Sequence, residues 1–188
     1  ELACGRVHSL VIDKGNLFAM GSNANGATFL GTSATDSYTP VFTGVSNVRS
    51  AAVTMYRAAY LKSDGTAMLA GLSYSQYRAM APTAFPAGNI DDIALSMQTV
   101  WYLAGGQVYS WSAEPGSVPV AVPGASGVAQ IAAGTYHLVM LFSDGTVATY
   151  SLDNVSGNAR GQRGDGTTAS SSAAITRLSF PTRVVEIA

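Results

Sequence analysis

The chain has 188 residues, 47% of them apolar and only 11% charged, with 20 glycines and a net charge of −1. That balance excludes a charged disordered tail, and it lacks the basic excess that a nucleic-acid or anionic-membrane partner would attract. The lone cysteine, Cys4, excludes an intrachain disulfide and a cysteine-built zinc site, and no apolar run reaches the ~18 residues of a bilayer span.

Taken in chain order, four segments share one plan: "SLVIDKGNLFAMG", "AAYLKSDGTAMLAG", "VWYLAGGQVYSWS" and "LVMLFSDGTVATYS". Each is a short apolar run, a turn bearing glycine, and a second short apolar run, which predicts a β-hairpin. The turn glycines Gly15, Gly65, Gly106 and Gly145 lie 50, 41 and 39 residues apart. A second landmark precedes each hairpin, at Leu2, Ala51, Ile93 and Ile131, and returns at Ile187. A recurring unit of ~40–50 residues made of short strands is the signature of propeller blades. Runs such as "LVMLF" are apolar at both alternating positions, as blades buried on two faces require.

The expectation is an all-β, propeller-type array of four repeats, approximately 1–49, 50–91, 92–129 and 130–188. It forms either a closed four-bladed ring or part of a larger one. Residues 184–188, "VVEIA", repeat the opening "ELACG" and either begin a fifth unit or close the ring.

The segments "IAAGTYHLVMLFSDGTVATYS" and "GNARGQRGDGTTASSSAAITRL" resemble the regulator of chromosome condensation repeat family in its bacterial form. "GQVYSWSAEPGSVPVAVPGASGVAQIAAG" is especially similar to repeats of the β-lactamase inhibitory protein II type. The frequent family histidine is matched by His8 and His137 and replaced by Arg57 and Thr99; the Trp-Gly pair is replaced by Met20-Gly21, Ala70-Gly71, Trp111-Ser112 and Tyr150-Ser151. The resemblance implies a propeller, usually of seven blades, that binds proteins through one rim and has no enzymatic chemistry.

The residues themselves point the same way. His8 and His137 are repeat-equivalent, which argues for a packing role in each blade rather than catalysis or metal ligation. Ser9 and Ser143 lack a nucleophile-elbow pattern, and no phosphate loop, HExxH or carboxylate pair is present. Neither a catalytic residue, a metal site nor a cofactor is expected. Asp64, Asp144 and Asp165 precede glycine and read as turn formers. The polar loop from Leu152 to Ser172 carries Asp153, Asn154, Asn158 and Asp165 without the alternation of a calcium loop. It also holds the tripeptide Arg163-Gly164-Asp165, read as coincidence, and the formal glycosylation acceptor Asn154-Val155-Ser156.

Candidate contact residues lie where the repeat departs from its plan. "LSYSQYRAMAPTAFPAGN" places Tyr74, Tyr77, Arg78, Met80 and Phe85 between two hairpins, and "ATFLGTSATDSYTPVF" places Phe29 and Tyr38 in the first repeat. Tyr, Arg, Met and Phe are enriched at interface centres. Met80 and Phe85 also fit a second role, as plugs of the core between blades. The expected function is a non-enzymatic protein-interaction module of bacterial or phage origin, extracellular, on a cell surface or in a virion, whose partner is another protein or copies of itself. A structural subunit of a virion or extracellular assembly is the rival reading, and a carbohydrate-binding propeller a weaker one.

Overall fold

Every hairpin expected from the turn glycines is formed. The computed structural model describes residues 1–31, 35–152, 158–168 and 174–188. Among them are sixteen strands in four antiparallel sheets, each a four-stranded meander in chain order, and no helix. Blade 1 comprises β1 (Leu2–Cys4), β2 (His8–Asp13), β3 (Asn16–Gly21) and β4 (Ser37–Phe42). Blade 2 comprises β5 (Val48–Val53), β6 (Arg57–Lys62), β7 (Ala67–Ser73) and β8 (Arg78–Ala84). Blade 3 comprises β9 (Ile90–Leu95), β10 (Val100–Ala104), β11 (Gln107–Trp111) and β12 (Val120–Ala121). Blade 4 comprises β13 (Val128–Ala133), β14 (Leu138–Phe142), β15 (Val147–Tyr150) and β16 (Thr176–Leu178).

The cores lie between blades rather than within them. Leu10, Leu17 and Phe29 of blade 1 pack on Val48, Ala58 and Tyr60 of blade 2. Leu61, Leu69 and Phe85 of blade 2 pack on Val100, Tyr102 and Trp111 of blade 3. Trp101, Leu103 and Val108 of blade 3 pack on Leu138, Met140 and Tyr150 of blade 4. This is why strands such as β6 and β10 are buried along their length. A sheet covered on both faces loses the polar alternation of a half-solvated one.

Backbone bonds join each blade to the next. Val48 donates its N–H to the carbonyl of Gly15, Ile90 to Gly65, and Val128 to Gly106, at 2.9, 3.0 and 3.0 Å. Gly65 shows why the acceptor is glycine: its φ is +80°, and a Cβ there would stand 2.9 Å from the Asn89 Cα. A second set of bonds runs along the inner strands. The side chain before each landmark accepts the landmark N–H of the following blade: Glu1 from Ala51 at 3.3 Å, and Asp92 from Ile131 at 2.9 Å. Ser50 is too short to continue the series, and its buried hydroxyl has no partner.

Two details of the expected layout shift. Inner strands β5, β9 and β13 begin two residues before the positions read as repeat starts, because Val48, Ile90 and Val128 open them as buried residues ahead of a register irregularity in the pairing. At the other end, Val184 donates to the Gly145 carbonyl at 3.2 Å, and Gln130 exchanges two bonds with Ile187. Residues 184–188 thus meet blade 4 as β5, β9 and β13 meet the blades before them.

Candidate protein-binding rim

The meander places the connections between the first and second and between the third and fourth strands of every blade at one end, and the glycine turns at the other. At the first end, four two-residue tips close with the same bond: Gly5 to His8, Thr54 to Arg57, Ser96 to Thr99 and Gly134 to His137, all N–H to carbonyl at 2.8–2.9 Å. The residues lifted by these tips are Arg6-Val7, Met55-Tyr56, Met97-Gln98 and Thr135-Tyr136. Sulfur contacts link them in pairs, with Arg6 Nη1 donating to Met55 Sδ at 3.5 Å and Tyr136 Oη to Met97 Sδ at 3.3 Å. Between the tips of blades 2, 3 and 4 lies a recess of about 280 Å³ lined by Val53, Met55, Leu95 and Met97. Beside it a second recess, of about 270 Å³, carries Ser96, Gln98 and Tyr136.

Arg57 organises the neighbouring connection. It is 1% exposed, and its guanidinium spans two blades. Nε donates to the Leu72 carbonyl at 2.7 Å, Nη1 to the Ser112 carbonyl at 3.0 Å, and Nη2 to Glu114 Oε1 at 2.5 Å. The Glu114 carboxylate also accepts from Ser73 Oγ, Ser75 Oγ and the Tyr74 N–H at 2.6, 2.5 and 2.9 Å. Burial pushes the Glu114 carboxyl up, but these hydrogen bonds together outweigh it and hold it at about 2. Burial lowers Arg57, and the Glu114 charge offsets part of that. The Tyr74 ring lies under the guanidinium, 4.6 Å from its carbon.

The sequence-predicted contact residues divide into two groups. Tyr77 stands 84% exposed at the crest of the β7–β8 turn, in left-handed backbone with φ 49°. Arg78 beside it is exposed, and its Nε donates to Gln76 Oε1 at 2.7 Å. Tyr38 is 96% exposed on β4, an outer strand. Tyr74 and Met80 are half-buried, the first against Arg57 and the second against the core between blades 2 and 3. Phe85 and Phe29 do not reach the surface. Phe85 is 5% exposed and packs edge-on against Tyr102 and Trp111, with ring centroids 5.9 and 5.7 Å away. Phe29, 9% exposed, sits edge-on to Tyr60 at 4.9 Å. Both fill the joint to the next blade, so their role as contact residues is corrected to core packing. The tip residues Met55, Met97 and Tyr136 escaped notice; superposing the four repeats at their tips is the signal that finds them.

Other motifs resolve as packing and turns. His8 is buried, and burial lowers it despite a bond to the Arg57 backbone; burial lowers His137 too. Asp64, Asp144 and Asp165 each accept the hydroxyl and N–H of the threonine two residues on, which holds all three below the usual carboxylate range. Arg163 is buried and bonded to Thr176 and the Ala174 carbonyl, so the tripeptide it begins is not displayed. Asn158 and Asp165 bond one another, and no metal-holding cluster of acids, His or Cys exists among the described residues. Asp153, Asn154 and the glycosylation acceptor lie outside the described residues.

Four-stranded meanders packed face to face, each stitched to the next, define β-propeller blades. Their fold is that of the RCC1-like propellers. Human WBSCR16 superposes with a TM-score of 0.83 at 23% identity, covering 99% of this chain and 54% of that one. Prp20p from Saccharomyces cerevisiae, whose structure was described with its binding to Gsp1p and histones, gives 0.76 at 17% identity over 96% of this chain and 50% of that one. Yeast RCC1 (Prp20) in complex with Kap60 gives 0.75 at 20% identity, again over half of that chain. The chain thus spans about half the length of these proteins. No protein-family model and no curated protein matches it by sequence.

Proposed function

We propose that this chain is a non-enzymatic protein-interaction module that docks a protein partner on the tip rim. The observation that carries this reading is the composition of that rim. The rim carries exposed Tyr77, Arg78 and Tyr136 together with a recess lined by Met55 and Met97, and these are the residue types that anchor interfaces. Tyr74 is held by the Arg57–Glu114 pair, so the crest residue Tyr77 projects from a fixed turn. Rigid presentation reduces the ordering cost of binding. The binding of Gsp1p, histones and Kap60 by similar folds supports the same class of role.

Photo-crosslinking from the host cell tests the reading. A benzoylphenylalanine probe replacing Tyr77 or Met97 is expected to capture one discrete protein. The same probe replacing Lys62, beside a glycine turn at the opposite end, is expected to capture none. Equal capture from both ends, or none from either, overturns it.

A further inference from the structure

A groove of about 410 Å³ opens at the tip rim and runs down the outside of the joint between blades 2 and 3. One wall is β8, the outermost strand of blade 2. The other is the connection from Trp111 to Ser117 in blade 3.

The edge of β8 is available for pairing. Leu72 gives its N–H to the Tyr56 carbonyl on the β6 side. Its cross-strand partner Ala79 therefore turns its own N–H and C=O away from β7, into the groove. Pro82, lacking a donor, ends the usable edge. Outer strands β12 and β16 have only two and three residues, and β4 carries Pro40 in its middle.

The groove's hydrogen-bonding side chains are unbalanced. Its carboxylate and amide acceptors are engaged: Glu114 takes bonds from Arg57, Ser73, Tyr74 and Ser75, and Gln76 Oε1 takes the Arg78 Nε. Its donors are not. Arg78 commits only its Nε, leaving the rest of an exposed guanidinium free. Trp111 is 7% exposed, and its buried Nε1 has no partner. A buried donor left unmatched is costly in a finished core.

We propose that this groove binds an extended acidic peptide segment, which adds to β8 as a further strand at Ala79 and places a carboxylate where Arg78 and Trp111 meet it. The mode is strand addition, with main-chain bonds supplying affinity and the two side-chain donors supplying selectivity. This inference rests on the reading of the tip rim as a protein-docking surface and names the partner chemistry.

The test uses terminally blocked, fluorescein-labelled nonapeptides of alternating Thr and Val with a central Glu, Gln or Lys. In fluorescence anisotropy the Glu peptide is expected to bind about tenfold more tightly than the Gln peptide, with the Lys peptide weakest. Arg78→Ala, at an exposed position, is expected to erase the difference between Glu and Gln. Ala79→Pro, which removes an N–H not used by β7, is expected to abolish binding of all three. In nitrogen-15 spectra the Trp111 indole signal should shift on adding the Glu peptide. That of Trp101, already bonded to Ser96 Oγ at 2.8 Å, should stay in place. Equal affinities for the three peptides, or an unmoved Trp111 signal, overturn the proposal. If no peptide binds while the Tyr77 probe still captures a protein, the groove inference fails and the rim reading stands. If the peptides bind as expected and the probe captures nothing, the groove binds acidic peptide but the rim reading fails, and with it the assignment of the groove to a docked protein.

Discussion

The joint between blades 1 and 2 and the joint between blades 2 and 3 are built on one template with opposite chemistry at one position. In the first joint the position is His8, buried, with its pKa lowered by that burial and its Nε2 unpartnered. In the second it is Arg57, fixed to Glu114 and to the carbonyls of two blades. The apolar parts of the joints are alike, since Phe29 on Tyr60 and Phe85 on Tyr102 are both edge-on aromatic contacts. The repeat therefore fixes where blades touch and leaves open how polar the contact is. A charged pair at that place also organises the turn above it, which the histidine cannot do.

Breaking the second joint should have the largest effect. Arg57→Ala strands the Glu114 carboxylate and is expected to cost about 3 kcal/mol in urea denaturation. Glu114→Gln keeps the shape but loses the charge, and should cost about 1–2 kcal/mol. It should also release the Tyr74 turn, seen as faster amide exchange at Tyr74 and Ser75.

Acid should separate the two joints. The His8 pKa is depressed below 6.5 in the fold, so the unfolded chain binds more protons and stability falls as pH drops below that value. The Glu114 carboxyl is depressed from 4.5 to about 2. Its contribution is present above about 4.5 and disappears only as pH falls towards 2. Amide exchange along β2 should therefore rise at a higher pH than exchange along β6; simultaneous loosening contradicts the comparison. The smallest effect is expected from His8→Leu, which removes an unmatched buried nitrogen together with a bond to the Arg57 backbone and, the two offsetting, should change stability by under about 1 kcal/mol. It should also abolish the early phase of acid loosening.

Much of this architecture was legible because positive-φ turns demand glycine, and glycine is visible. Gly15, Gly65, Gly106 and Gly145 mark both the hairpins and the inter-blade stitches, so their spacing carried the blade count. The inner strands open at Val48, Ile90 and Val128, two residues ahead of the approximate repeat starts at 50, 92 and 130, since an irregular register leaves no mark in composition. The contact residues were harder. Tyr77 and Phe85 occur eight residues apart in one stretch between hairpins, yet one is a crest and the other a plug. Nothing local separates them, because the plug is defined by Tyr102 and Trp111 of the next blade. Met55 and Met97 sit within apolar surroundings and become a surface only when the tips converge.

The stitch from each turn glycine to the strand that follows uses main-chain atoms on both sides. Its requirements are a left-handed turn in one unit and a free N–H in the next, and neither specifies a side chain. Units joined this way are interchangeable parts. Their sequences can drift, or be duplicated and reordered, while the coupling geometry stays common to all. Diversity among the rim residues then carries no penalty in how the array is held together.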